Sequence, residues 1–168
     1  MIHVCSLALL HGTVEASGAR HIVTLLRIVD RVQRPSSIVA ENHLILGMDD
    51  IVDPADGLTH PCEEHVTQLV EFAGRWDRKA PMVIHCWAGI SRSTAGDFVT
   101  ACALNPNRDE AAIARAIRDA SATAMPNKRI VTIADQILGR GGRMIKAVEA
   151  LGPGHIAPEG HPFRLDLE

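Results

Sequence analysis

The chain has 168 residues, 46% of them apolar, with 17 basic against 20 acidic side chains and a net charge of −3. That length suits one domain able to bury its own core without metals or disulfides. The near-neutral charge argues against a polyanion binder, so neither nucleic acid nor a polybasic membrane contact is expected as a partner.

In chain order, Ile2 to Leu10 is expected to form the first strand, Thr13 to Ala19 a turn or short helix, and His21 to Leu26 a second strand. Arg27, Arg31 and Arg34 fit one solvated helical face over 27–35, which Ser36 and Ser37 break. His43 to Met48 reads as a third strand. Asp49 to Thr59 follows as an acid-rich loop with two turn-forming pairs, Asp53-Pro54 and Asp56-Gly57. From Pro61 the apolar period becomes helical, through Cys62, Val66, Leu69, Val70, Ala73 and Trp76, with Pro61, Glu63 and Glu64 suited to a first turn. Met82 to Ile84 reads as a short buried strand. Helices then follow: one from Ser91 burying Ala95, Phe98, Val99 and Cys102, then Asp109 to Ser121, Ile130 to Leu138 and Met144 to Leu151. The segment from Gly152, punctuated by Gly154, Pro158, Gly160 and Pro162, is expected to be extended or flexible. This succession predicts an α/β fold with a small, largely parallel central sheet flanked by helices and an all-helical C-terminal half. The domain would span 1–151 and the tail 152–168.

Two further features bear on compartment. Cys5, Cys62, Cys86 and Cys102 match neither a zinc set nor a dense secreted framework, and read as reduced thiols of a cytoplasmic protein. The apolar stretch at 2–10 has no basic residue before it, which favours a strand over a signal peptide, and no apolar run reaches the roughly 20 residues of a membrane span. His60 and His65, five apart, are poorly spaced for a metal, and no metal site or cofactor is expected.

The chemistry concentrates in Pro81 to Ser93, where an apolar strand stops at Cys86 and an arginine, Arg92, follows six positions later. Gly89 permits a tight reversal, and the pattern turns helical from Ser91, so Cys86 sits at a strand-to-helix junction. The backbone N–H groups of Trp87, Ala88, Gly89, Ile90, Ser91 and Arg92 can curl around one concavity, a nest for a tetrahedral oxyanion. Arg92 would add a bidentate clamp on two phosphate oxygens. Helix dipole, N–H groups and guanidinium together favour a thiolate at Cys86.

His85-Cys86-Trp87-Ala88-Gly89-Ile90-Ser91-Arg92-Ser93 resembles the His-Cys-x5-Arg-Ser signature of the cysteine-dependent protein tyrosine phosphatase superfamily, most closely its dual-specificity branch and the small bacterial type. Pro126-Asn127, opening a later helix, is similar to a further feature of that branch. The resemblance covers roughly residues 20 to 138 and implies a phosphatase-like fold and a metal-independent phosphomonoester hydrolase. By the family's roles Cys86 is the nucleophile of a cysteinyl-phosphate intermediate, Arg92 the transition-state clamp, Ser93 the hydroxyl that helps the thiolate leave, and His85 the residue that orients the loop. Trp87 would flank the site or pack beneath it.

The resemblance also implies an aspartate as general acid, because the leaving alkoxide needs a proton. Asp49, Asp50, Asp53 and Asp56 are the candidates. Position just after a strand favours Asp49 or Asp50, with Asp50 chosen; counting back from Cys86 favours Asp53. The expected substrate is a phosphorylated protein or a small phosphomonoester. Phosphotyrosine versus phosphoserine or phosphothreonine, and the oligomeric state, stay open. Two other readings of the same loop are a rhodanese-like sulfur transferase and a catalytically silent phosphate-binding module. Cys5, Cys62 or Cys102 would be the candidates for a reversible disulfide with Cys86.

Overall fold

The structure is a computed structural model that describes residues 1–27 and 31–167. Among the described residues five strands form one sheet in the order β3-β2-β4-β1-β5: β1 (Ile2–Ser6), β2 (His21–Leu25), β3 (His43–Leu46), β4 (Met82–Cys86) and β5 (Phe163–Leu165). The first four pair in parallel, and β5 runs antiparallel to β1. All five residues of β4 are buried. A parallel strand covered on both faces needs such a continuous apolar run, and Met82-Val83-Ile84 supplies it.

Alternation along the strands divides the core in two. Ile2, Val4, Val23, Leu25, Met82 and Ile84 face a large helical layer made by α2 (Glu63–Arg75), α3 (Arg92–Leu104), α4 (Glu110–Ala120), α5 (Lys128–Ile137) and α6 (Arg143–Leu151). Cys5, Ile22 and Val83 face the other way, against Leu10 and Val14 of α1 (Leu10–Ser17) and Ile38. The helix α3 lies close on the sheet at Gly96, where a Cβ would stand 2.9 Å from Leu25 Cδ1 and 3.1 Å from Ile84 Cγ2. Glycine there sets the height of the helix that begins at Arg92.

Three expectations need correcting. The first strand ends at Ser6 instead of running to Leu10, because Leu9 and Leu10 donate backward to Ser6 and Leu7 and start α1, which buries Leu10 and Val14 one turn apart. The C-terminal half is not all helix: Phe163 and Leu165 bury their side chains and β5 covers the open edge of β1. Cys62 is the residue before α2 and not part of its apolar face; its N–H and its sulfur both approach His65 Nδ1, at 3.3 and 3.4 Å. The arginine-bearing helical face expected over 27–35 falls in part outside the described residues. Among those described, Arg27 bonds Asp49 and the Gly57 carbonyl.

The tail from Gly152 is extended and docked. His155 donates its N–H to the Ala122 carbonyl and Gly160 donates to that of Ala88, each at 2.9 Å, before the chain enters β5. No helix among the described residues is long and apolar enough to cross a membrane.

Candidate active site

Cys86 ends β4 and Arg92 begins α3, so the loop between them wraps the N-terminus of a 13-residue helix. The loop closes over β1 at Gly89, whose φ of 72° lies in the left-handed region; a Cβ there would sit 2.8 Å from the Cys5 carbonyl carbon and 2.9 Å from the Ser6 nitrogen. Both the backbone angle and the packing therefore call for glycine.

The loop carbonyls are held from outside. Trp87, Ala88, Ile90 and Ser91 accept backbone N–H groups from Leu7 at 3.2 Å, Gly160 at 2.9 Å, Met125 at 3.0 Å and Asn127 at 3.2 Å. In a planar trans peptide the C=O and the following N–H point in opposite directions. The N–H groups of Ala88, Gly89, Ser91 and Arg92 consequently point away from those outer partners, to the inner side of the loop. Three separate segments of the chain impose this orientation, the stretch after β1, the connection before α5 and the tail.

Within the concavity Cys86 is 2% exposed and its Sγ lies 3.2 Å from Ser93 Oγ, itself fully buried. Arg92 is 8% exposed; one terminal nitrogen of its guanidinium donates to the Met48 carbonyl at 2.8 Å, and its Nε–H has no partner among the described residues. The Met48 bond ties the guanidinium to the chain just past β3, and Arg92 lines the cavity. On the opposite face of β4, His85 Nε2 meets Thr24 Oγ1 at 2.7 Å, and the same hydroxyl meets His43 Nε2 at 2.7 Å. Burial pushes His85 down to about 4, with the backbone of Cys86 pulling slightly the other way, so its ring is neutral at physiological pH. It sits behind the loop, hydrogen-bonded to Thr24.

The four aspartates separate by geometry. Asp50 lines the cavity and its Oδ1 accepts from Ser91 Oγ at 2.7 Å and from Asn127 Nδ2 at 2.9 Å. Asp49 points elsewhere: its Oδ2 takes Arg27 at 3.2 Å and the Thr59 N–H at 2.7 Å, pinching the base of the 49–59 loop. Asp53 and Asp56 are exposed and do not line the cavity.

The cavity has a volume of about 560 Å³ and is walled by the loop, by Asp50 and Val52, by Met125, Pro126, Asn127 and Lys128, and by Ala157 and Pro158 of the tail. Trp87 flanks it, 55% exposed. Several participants were not singled out as site residues by the sequence. Asn127 carries the helix-starting signal of an N-cap, yet its second bond, to Asp50, has no local signature. Thr24, His43 and the Met48 carbonyl arrive through strand pairing, and Pro158 through the docked tail. The other cysteines stand apart: all four are free, and burial pushes Cys5 up to about 11 and Cys102 up to about 12, which keeps those two as thiols. Among the described residues no group of three His, Cys, Asp or Glu side chains is placed to hold a metal.

No family model matches the sequence, and neither does any curated protein. Solved structures match in fold. The Cydia pomonella PTP-2 phosphatase superposes with a TM-score of 0.62 at 15% identity, over 80% of this chain and 84% of that one. DUSP15 does so with a TM-score of 0.61 at 15% identity, over 89% of each chain. PTPMT1, crystallised in complex with PI(5)P, gives a TM-score of 0.63 at 14% identity, over 83% of this chain and 91% of that one. The mostly parallel sheet of five strands and the six α-helices among the described residues thus have the fold of these dual-specificity and tyrosine phosphatases.

Proposed function

We propose that this chain is a phosphomonoester hydrolase of the cysteine-dependent superfamily, in its dual-specificity branch, acting through a cysteinyl-phosphate intermediate. The observation that carries this reading is one cavity lined by Cys86, Arg92 and Asp50, under a loop whose N–H groups turn inward. Substrate phosphate would lie in that cradle with two oxygens on Arg92. The Cys86 thiolate attacks phosphorus, the P–O bond to the leaving group breaks, and Asp50 gives its proton to the departing oxygen. Water then attacks the phosphocysteine, Asp50 takes a proton from it, and the P–S bond breaks while Ser93 Oγ hydrogen-bonds the leaving sulfur. Developing charge on the phosphoryl oxygens meets fixed donors throughout, which is the largest contribution expected of such a site.

Asp50 is assigned as the acid because it is the aspartate of its loop that reaches the cavity, with Ser91 and Asn127 orienting it. Sulfur transfer has no use for a carboxylate in the same cavity as the thiol, and a silent phosphate binder has no use for Ser93 beside that thiol. A phosphoprotein is the favoured substrate: Trp87, Ala88, Ile90 and Ser91 are uncharged, which suits one phosphate better than the several of a phosphoinositide. The four free thiols support a reducing, cytoplasmic location. The test is hydrolysis of nitrophenyl phosphate and a phosphopeptide panel with and without vanadate and a chelator. Vanadate should inhibit and the chelator should not; full activity in Cys86→Ser would refute the assignment.

A further inference from the structure

Beside the catalytic cavity lies a second one of about 410 Å³, walled by Leu7, Ala8, Trp87, Ala88, Pro158 and Glu159. The two share Trp87, Ala88 and Pro158, so a chain seated over Cys86 can continue from one into the other along the surface. The tail forms its outer wall and is fixed there. Gly160 donates its N–H to Ala88 at 2.9 Å, a Cβ on Gly160 would stand 3.0 Å from the Gly89 oxygen, and the Ser6 hydroxyl bonds the Glu159 carboxylate.

The chemistry of this groove is an indole and one carboxylate. Trp87 leaves 55% of its surface exposed while its carbonyl is pinned by Leu7, so the ring is presented on a fixed backbone. Glu159 is exposed and has no ion pair among the described residues. An indole attracts a cation over its face, and a planar guanidinium stacks on it while its fork meets a carboxylate. A headgroup carrying additional phosphates would instead meet the charge of Glu159 as repulsion.

We infer that the groove is a specificity subsite which takes a basic side chain, arginine above all, flanking the phosphoresidue of an extended peptide. This rests on the phosphatase reading and names its substrate class: a phosphopeptide with a basic neighbour. A cation over an exposed indole and an exposed ion pair together give roughly a five- to tenfold preference.

The experiment uses the full chain and phosphopeptides that differ only at the flanking positions, carrying arginine, alanine, leucine or glutamate, with nitrophenyl phosphate and phosphoinositide vesicles beside them. The arginine peptide should have the highest kcat/KM. Glu159→Gln, which keeps an acceptor for Ser6, should cut the arginine-over-alanine ratio several-fold with nitrophenyl phosphate turnover unchanged, and Glu159→Lys should reverse the order of the arginine and glutamate peptides. Peptide Kd values measured on Cys86→Ser rank the same flanks without turnover. If nitrophenyl phosphate is not hydrolysed, the phosphatase reading fails and those Kd values alone decide the subsite. A preference for leucine or glutamate, an unchanged ratio in Glu159→Gln, or faster turnover of the vesicles than of any peptide would overturn the inference.

Discussion

Asn127 holds Asp50 with one end of its amide and starts a helix with the other: Nδ2 donates to Asp50 Oδ1 at 2.9 Å, while Oδ1 accepts the N–H groups of Arg129 and Ile130 at 3.0 and 3.1 Å. The two tasks can be separated. Serine is an equally good helix cap but too short to reach Asp50, whereas alanine does neither. Asn127→Ala should lose about 1 kcal/mol of stability together with activity. Asn127→Ser should keep its Tm and still slow alkyl phosphates about tenfold, with less effect on nitrophenyl phosphate, whose leaving group hardly needs a proton. Parent-like rates on alkyl phosphates in Asn127→Ser would mean the bond to Asp50 has no positioning role.

Substitution of each aspartate in the 49–59 loop distinguishes chemistry from loop closure. Asp50→Asn should lower kcat on alkyl phosphates by roughly 10²-fold or more and leave Tm nearly unchanged. Asp49→Asn should show the reverse, a lower Tm from the weakened Arg27 and Thr59 contacts with smaller changes in kcat. Asp53→Asn and Asp56→Asn should alter neither. Loss of alkyl phosphatase activity in Asp53→Asn alone would move the acid there.

Replacement of Arg92 by lysine keeps the charge but removes the fork and the Met48 bond. Arg92→Lys should therefore lose nearly as much kcat as Arg92→Ala, on the order of 10²-fold or more. Ser93→Ala should act on a different step, slowing breakdown of the phosphocysteine, so that rapid-quench measurements show a burst of nitrophenol followed by slow turnover. A lysine variant with near-parental kcat, or Ser93→Ala without a burst, would contradict these roles.

His85 makes stability depend on acid. Its ordinary value of 6.5 is lowered by burial to about 4. Between those values the unfolded chain binds a proton that the folded chain refuses, so unfolding becomes easier as pH falls through that window. The contribution is fully present above about pH 6.5 and its loss totals on the order of 3 kcal/mol by the time pH drops below 4. Burial also lowers His3, His21, His43 and His65, which act in the same sense, whereas burial raises Asp97, whose contribution is lost as pH rises. Urea midpoints near pH 7 and near pH 4.5 measure the difference. His85→Gln should shrink it, and an unchanged difference would show that His85 is not the buried neutral group responsible.

Much of this was legible because the signals were local. Met82-Val83-Ile84 followed by Cys86, Gly89 and Arg92 specifies a strand, a reversal and a helix start within a dozen residues, and the apolar period of 61–76 and 109–151 marks helices without reference to any partner. What escaped was set by distant pairing. Phe163-Arg164-Leu165 becomes a strand through the free edge of β1, and three residues in a Gly- and Pro-rich segment carry too little periodicity to announce it. The chain after Ser6 stays apolar through Leu10, so the change from strand to helix leaves no mark in hydropathy. Asp50 and Asp49 are neighbours of identical chemistry, and Arg27 and Asn127, far away in sequence, decide which one faces the cavity.

The strand that carries the thiol occupies the middle of the sheet, between β2 and β1, although both of those precede it in the chain. It is the seam that joins two otherwise separate pieces. Fraying of β3 or β5 at the edges leaves it untouched, but releasing β4 parts the sheet and the core on both faces. The amides of Val83 to His85 should therefore exchange with deuterium only through whole-molecule opening, at the slow limit for this protein, while those of Phe163 to Leu165 exchange much earlier.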